Sequence, residues 1–417
     1  MNVFKFGGAS VKDEAGVRNV GRVLRHFPDD DLVIVVSAMG KTTNALEEVV
    51  WAYRAGRPTQ VLIDRLRGGH LEILSAVAPA HRQAIADLSG DFAALEHILQ
   101  QAPSDNVDRD YDLIVSFGEI WSTRIVSAYL DEAGIANTWV DARAIVATDD
   151  LYRSARVDWT AAASRAPAVW AAIAATPRRL LTQGFIGSAP DGTTTTLGRE
   201  GSDFSAAILA YLLDAERVTI WKDVPGMFNA DPKRFPDAML LSHISYREAI
   251  ELSYFGASVI HPRTLQPLQK KQIPLSVRSF ADVHAPGSTI DDESANDSLI
   301  PSFILKPNQL LASITPRDLS FVVEENLRDI FRLFAEHRVR IDLMQNSAVA
   351  FSVVVDDTAR ARELIEELGR TYEVRYNDGC ELITVRHFDD ATLKRLTDGR
   401  EVLIEQRSRN TARFVVK

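Results

Sequence analysis

The chain has 417 residues, more than one hydrophobic core usually serves, so two or three domains are expected. Apolar residues make up 46% and charged residues 25%, a globular balance, and the net charge of −10 argues against a general nucleic-acid binder or a basic membrane-surface protein. One cysteine, Cys380, excludes an intrachain disulfide and a multi-thiolate zinc site, and no apolar run reaches the roughly 20 residues of a bilayer span. With no leader pattern at the amino terminus, the expectation is a soluble cytoplasmic protein.

In chain order, Met1–Phe6 reads as a short strand that runs into Gly7, Gly8, Ala9 and Ser10. Such a turn can aim backbone amides at an anion, with Lys5 as a point charge at its rim. Because the lysine precedes the glycines, this is not a Walker A loop. The continuous apolar run Leu32–Val36 is typical of a strand buried on both faces, and small polar residues follow it: Ser37, Ala38, Gly40, Thr42, Thr43 and Asn44. Ligands of open α/β sheets collect at such carboxyl ends. Residues 45–104 are helical by pattern, with a break expected at Gly68-Gly69. Tyr111–Gly118 reads as a further strand leading into a helix at Ile120–Leu130. Glu119 at that helix start either complements the helix dipole or holds an ammonium group, and spacing alone does not decide. Thr138–Val140 reads as a strand, an alanine-rich helix runs through Trp170–Ala175, and an apolar segment Leu180–Ile186 follows.

The central stretch is Thr193–Ala206: four threonines, then Leu197, Gly198, Arg199, Glu200, Gly201, Ser202 and Asp203. Gly198 and Gly201 permit close approach to the main chain, and Ser202 or Asp203 is expected to cap a helix over Ala206–Leu213. A helix N-terminus suits a phosphate, and Arg199 adds a fork shaped for a carboxylate or phosphate. Arg217–Trp221 is a strand candidate, followed by a rigid loop from Lys222 and Asp223 through Pro225, Phe228 and Pro232 to Lys233. Glu248–Tyr254 reads as helical. His261, before Pro262, is given no chemistry.

Strands alternating with helices over residues 1–280 predict an α/β domain with a mostly parallel sheet. The turn-rich stretch from Ala285 to Ser298 marks a boundary. Beyond it the order is strand (Leu310–Thr315), helix (Asn326–His337), strand (Arg340–Met344), strand (Ala348–Val355), helix (Ala359–Leu368) and strand (Cys380–Arg386). This is the split β-α-β layout of ferredoxin-like modules. A shorter echo adds a helix at Asp390–Leu396 and strands at Glu401–Gln406 and Thr411–Val416. The expected division is 1–285, a linker at 286–307, a first module at 308–386 and a shortened second module at 387–417.

Five blocks, in order, together resemble the aspartate kinase family: Lys5–Val11, Val36–Ala38 with Thr43-Asn44, Phe117–Glu119, Thr196–Asp203, and Asp223–Gly226 with Asp231-Pro232. The resemblance covers nearly the whole chain. It implies a three-layer α/β/α amino-acid-kinase sandwich followed by ferredoxin-like ACT regulatory domains. The implied reaction is transfer of the γ-phosphoryl group of MgATP to the side-chain carboxylate of L-aspartate, with no metal held directly by protein groups. The implied catalytic residues are Lys5 and Asp203. Ser37, Thr43, Glu119, Arg199 and Ser202 would bind substrate, with Arg199 on its α-carboxylate and Glu119 on its ammonium. Lys5, Gly7, Gly8, Ser10, Lys222, Asp223, Phe228 and Lys233 would surround ATP. Asp342, Gln345 and Ser347 match positions for an effector amino acid, lysine or threonine, and the ACT-like region implies a homodimer or homotetramer. The resemblance carries no nucleic-acid or membrane partner.

The sequence departs from the family pattern at Ala9 and Lys222 (commonly threonine), Glu200 (commonly glycine), Phe228 (frequently tyrosine) and Ser258 (often a nucleotide-contacting lysine). Lys222 offers a replacement for that last charge. The effector loop Arg317–Phe321 lacks its usual glycine, so an assembly role without a ligand stays open. Two rival classes are another amino-acid kinase and a non-catalytic amino-acid sensor. A dinucleotide-dependent dehydrogenase lacks its G-x-G-x-x-G signature.

Overall fold

A computed structural model of the protein describes residues 1–198, 200–257, 260–318 and 320–417. The chain divides into two compact units: residues 1–227, 240–250 and 258–294 form the first, and residues 228–239, 251–257 and 295–417 form the second.

The strands of the first unit are β1 (Asn2–Phe6), β2 (Leu32–Val36), β3 (Thr138–Val140), β4 (Arg179–Gln183), β5 (Ile186–Ser188), β6 (Thr194–Thr196) and β7 (Arg217–Lys222). They continue with β9 (Leu240–Leu241), β10 (His243–Ser245), β11 (Leu275–Ser279) and β12 (Ser288–Asp291), and the two-residue β8 (Met227–Phe228) ends in the first residue assigned to the second unit. Eight of them make one sheet in the order β10-β12-β11-β7-β1-β2-β4-β3, parallel except between β11 and β12. β5 and β6 form a separate antiparallel hairpin. The stretch read as a linker therefore holds a strand, β12, within this sheet.

The helices are α1 (Glu14–Leu24), α2 (Thr42–Arg54), α3 (Gln60–Val77), α4 (Arg82–Leu99), α5 (Val107–Val115), α6 (Phe117–Glu132), α7 (Trp159–Ala171), α8 (Gly201–Leu212), α9 (Tyr246–Phe255) and α10 (Pro262–Lys271). Side chains alternate across each strand. Phe4, Phe6, Ile34, Val36 and Trp221 point into the core shared with the α1–α6 layer. Val3, Lys5, Val33 and Val35 alternate with them and face the other way, where α8 crosses β1, β2 and β7. α8 is buried along almost its whole length, in keeping with its apolar sequence. This is the expected α/β/α sandwich.

Several local expectations are corrected. Tyr111–Val115 end α5 and Phe117 opens α6, so this stretch is not a strand. Asn106 caps α5 by accepting from the amides of Asp108 and Arg109, and Asp108 and Asp110 complement its dipole. The glycine pair does not break α3. Two interior glycines cost about 1 kcal/mol each, while burying Ile63, Leu66, Leu74 and Val77 returns roughly 1.5–3 kcal/mol per side chain. The alanine-rich helix ends at Ala171. α8 begins at Gly201, so Ser202 and Asp203 lie in its first turn instead of capping it, and Glu200 before it is left-handed (φ 55°).

The second unit is built on an antiparallel sheet of β13 (Ser302–Pro316), β14 (Leu343–Asn346), β15 (Phe351–Asp356), β16 (Tyr372–Arg386), β17 (Val402–Arg407) and β18 (Thr411–Val416), ordered β14-β15-β13-β16-β18-β17. The 15-residue strands β13 and β16 run through both ferredoxin-like halves, pairing at both ends around a bulge at Lys306–Leu311. Helices α11 (Glu324–Glu336) and α12 (Ala359–Thr371) cover one half and α13 (Asp390–Thr397) the other, each over its own core. A third core of Leu311, Leu343, Val354, Cys380, Leu382 and Val415 shields the lone thiol.

Candidate active site

The carboxyl ends of β1, β2 and β7 open onto a cavity of about 560 Å3 lined by Lys5, Gly8, Ser37, Thr43, Glu119, Ser202, Asp203 and Lys222. Each comes from a different local device. Strand alternation turns Lys5 toward α8, whose first turn supplies Asp203. Lys5 Nζ lies 2.6 Å from Asp203 Oδ1, with the side chains 9% and 3% exposed, and Lys222 Nζ lies 3.4 Å from Oδ2. Burial pushes the Asp203 carboxyl upward, but Lys5 and then Lys222 outweigh it and hold it below the usual carboxylate range. The group stays an anion.

Gly8 is required by packing. A Cβ there would come within 2.6 Å of the Ala38 carbonyl oxygen, so the first turn can lie against the loop after β2 only without a side chain. Gly7 sits beneath the ammonium group, with its ideal Cβ position 3.5 Å from Lys5 Nζ. Gly198, at φ 80°, turns the chain out of β6 toward α8 in a conformation that favours glycine.

Glu119 is buried at the start of α6. Its Oε1 accepts from the Ala38 amide at 3.3 Å, and among the described residues its Oε2 has no hydrogen-bond donor. Burial drives its carboxyl up to about 8, against the opposing pull of the Ala38 and Glu119 amides and of Lys5. A buried acid with one oxygen unsatisfied is arranged for a cationic partner.

Some sequence candidates lie elsewhere. Ser10 is buried with its hydroxyl directed at the Trp221 carbonyl, 3.5 Å away, and does not line the cavity. Asp223 is exposed and outside the lining. Phe228 and Lys233 belong to residues 228–239 of the second unit, where Lys233 is exposed and its amide donates to Asp231. Arg199 and Ser258 lie outside the described residues. In the second unit, the Asp342 carboxylate is already engaged by Lys306 at 2.5 Å, and the Ser347 hydroxyl closes a turn with Ala350. Gln345 is exposed and lines a separate cavity.

The sequence reading missed one wall. Tyr111, Arg153, Phe185 and Thr196 also line the cavity. The Arg153 guanidinium lies 4.1 Å from the Tyr111 ring centroid. Asp112, fully buried on α5, accepts from the Arg153 amide (2.9 Å) and from the amide and hydroxyl of Thr196 (2.7 Å each). Its carboxyl is pushed up to about 6 by burial, with those donors opposing. An aspartate inside an apolar run was the available signal, since buried acids occur where donors converge.

Two lysines on a buried carboxylate, with Gly8 in the same cavity at the carboxyl edge of a parallel sheet, make a pocket suited to an anionic group such as a phosphate. The amino acid kinase family profile matches residues 1–279. The lysine-sensitive aspartokinase 3 of Escherichia coli (strain K12) is 32% identical over 92% of this chain and 86% of its own length. A bifunctional chloroplastic aspartokinase/homoserine dehydrogenase 1 of Zea mays is 32% identical over 71% of this chain, which spans 33% of that protein. Crystal structures of E. coli aspartokinase III, one with lysine and aspartate and one with aspartate and ADP, superpose with TM-scores of 0.82 and 0.81 at 28% identity, covering 100% of this chain and 96% of theirs. The chain belongs to the amino acid kinase family and, within it, to the aspartokinases. Among the described residues no helix is long and apolar enough to cross a membrane.

Proposed function

We propose that the protein transfers the γ-phosphoryl group of MgATP to the side-chain carboxylate of L-aspartate, giving ADP and 4-phospho-L-aspartate. The observation that carries this is the convergence of Lys5, Asp203 and Glu119 on one cavity at the sheet's carboxyl edge. In the reaction one carboxylate oxygen forms a bond to the γ-phosphorus while the bond from that phosphorus to the bridging oxygen breaks, and ADP leaves with the electron pair. The acceptor's reference pKa is about 3.9, so no general base is needed. Catalysis reduces to aligning two anions and neutralising the charge that spreads over the moving group.

Lys5 supplies that charge together with the Gly7 and Gly8 amides, and Asp203 fixes the direction of the Lys5 ammonium. Glu119 takes the substrate ammonium, which favours a free α-amino group over an acylated one. Thr43, Ser37 and Ser202 add hydroxyl donors, and Arg199 is assigned the α-carboxylate on sequence grounds. Lys222, beside Asp203, is assigned to the nucleotide phosphates. Magnesium supplies further charge neutralisation. Asp203, the carboxylate nearest the lysines, is engaged by two of them, so the fitting arrangement is a metal carried on the nucleotide's own phosphate oxygens.

The regulatory reading rests on the second unit. Phe321, Val323, Phe331 and Val349 are each exposed there, and a homodimer or homotetramer through this region is assigned on the family resemblance. A lysine or threonine effector at Asp342 has to displace the Lys306 ammonium. A panel of aspartate, glutamate, N-acetylglutamate and carbamate, scored by ADP release, tests the substrate: turnover confined to aspartate supports the reading, and preference for any other acceptor overturns it.

A further inference from the structure

We propose that Arg153 is a specificity-determining residue of the Lys5 cavity, whose guanidinium receives the α-carboxylate of the acceptor, the group that is not phosphorylated. The inference rests on the aspartate kinase reading above and adds a cation that lies in none of the five blocks of the family resemblance.

The main chain at Arg153 is fastened to the turn that leads from β6 into α8. Asp112 of α5 bridges the two: its carboxylate accepts from the Arg153 amide at 2.9 Å and from the amide and hydroxyl of Thr196 at 2.7 Å each. Two residues on, the Ala155 amide donates to the Thr196 carbonyl at 2.9 Å. The Arg153 carbonyl oxygen would stand 3.0 Å from a Cβ at Gly198. Residues 153 and 155 make all of these contacts with backbone atoms, and Arg153 has φ 63°, in the left-handed region that favours glycine. The wall therefore needs no side chain at this position, and the guanidinium is an addition to it.

The side chain has its own anchor. The guanidinium carbon lies 4.1 Å from the centroid of the Tyr111 ring, whose face attracts a cation. Tyr111 is 7% exposed and donates its hydroxyl to Glu47 at 2.6 Å, and both it and Arg153 line the cavity with Lys5 and Glu119. Among the described residues, the carboxylate paired with Arg153 is that of Asp108, 3.5 Å away, with the two side chains 42% and 55% exposed. A pair so long and so wet contributes little. The fork is thus held in direction by a ring and leaves N–H groups for an incoming anion. In L-aspartate bound for transfer, the side-chain carboxylate faces Lys5 and the ammonium faces Glu119, whose Oε2 has no donor among the described residues. The α-carbon then has one charged group left, its carboxylate. That group offers about four lone-pair sites, enough for Arg153 beside Arg199. The cavity so built selects for the second acid group as well as for the amine.

The test is steady-state kinetics of aspartate-dependent ADP formation by the full chain. Arg153→Met should raise the aspartate KM about tenfold, the size of one charge-assisted contact, and leave kcat and the ATP KM within about twofold. Arg153→Lys should recover part of the loss. Arg153→Gly, which suits φ 63° and removes the same charge, should match Arg153→Met, so that loss of the cation is told apart from a packing defect in the wall. β-Alanine is aspartate without its α-carboxylate, and as a competitive inhibitor it should bind wild type and Arg153→Met alike. Wild type that forms no ADP with aspartate overturns the reading and this inference together. With wild-type turnover in hand, three results would each overturn the inference alone: an aspartate KM unchanged in both Arg153→Met and Arg153→Gly, a KM rise absent from Arg153→Gly, or a β-alanine inhibition constant that rises in step with the aspartate KM.

Discussion

Lys5 Nζ lies 2.6 Å from Asp203 Oδ1 in a contact nearly sealed from solvent, joining the second-last residue of β1 to the first turn of α8. A buried ion pair is weak ground for stability, because desolvation offsets most of its attraction. Its value here is orientation: the pair aims an ammonium group into the cavity. Asp203→Asn should therefore lower kcat by about 10²–10³ while changing the aspartate KM much less. Removing one partner of a buried pair also costs about 3–5 kcal/mol, so steady-state kinetics should be read beside a denaturant titration. A wild-type kcat in a folded Asp203→Asn variant would contradict the role.

Glu119 gives a pH dependence. Its folded-state pKa of about 8 lies above its unfolded value of 4.5, so between those limits the folded enzyme holds a proton that the unfolded chain has lost. Raising pH through 8 strips this proton, which costs the substrate-free enzyme stability and creates the anion that a substrate ammonium needs. The expected result is kcat/KM for aspartate rising toward pH 8 while the melting temperature falls. Glu119→Gln should remove both trends and raise the aspartate KM. A flat kcat/KM profile from pH 6 to 8.5 would count against Glu119 as the ammonium partner.

The Asp112 network makes a prediction separate from the chemistry. Asparagine at 112 keeps an acceptor but turns an NH2 toward the Arg153 and Thr196 donors, which leaves buried groups unsatisfied. The cost is about 1–3 kcal/mol, seen as a lower urea midpoint, and the displaced Arg153–Thr196 wall should raise the aspartate KM. Unchanged stability would show that these hydrogen bonds do not hold the wall.

These residues also show how far the sequence could be read. Lys5, Gly7, Gly8 and the apolar run of β2 were legible because a buried parallel strand and its exit turn have a local signature. So were the split β-α-β halves of the second unit. Tyr111–Gly118 was misread because Leu113, Ile114 and Val115 imitate a strand. The decisive helix signal was the Asn106 cap five residues earlier, and it carried Asp112 and Tyr111 into the site. The family resemblance implied that Ser10 adds a hydroxyl to the phosphates, but the 3-10 turn over Gly8–Val11 directs its hydroxyl toward Trp221. Asp342 matched an effector position, and only the fold reveals Lys306, 36 residues away, already on its carboxylate.

That internal pair bears on regulation. If Asp342 receives an effector ammonium, the Lys306 ammonium competes with it. Lys306→Met should then make inhibition by lysine or threonine tighter by about tenfold, in the range of one charge-assisted contact. Inhibition curves of aspartate-dependent ADP formation would show this, and identical curves for wild type and variant would remove Asp342 from the effector site.

Lys222 is one of the departures from the family pattern. Lys222→Ala should raise the ATP KM by about tenfold, as expected for one charged hydrogen bond to phosphate, with the aspartate KM nearly unchanged. An unaltered ATP KM would remove Lys222 from the nucleotide site.

The central claim is phosphorylation of a side-chain carboxylate in the Lys5 cavity, and trapping the product with hydroxylamine tests it most directly. An acyl phosphate is attacked at its carbonyl carbon, giving a hydroxamate and releasing phosphate. With MgATP and L-aspartate, wild-type protein should form aspartate 4-hydroxamate in step with ADP, and Lys5→Met should lose both by about 10² or more. ADP release that proceeds without aspartate, or hydroxamate formed equally well by Lys5→Met, would contradict the account.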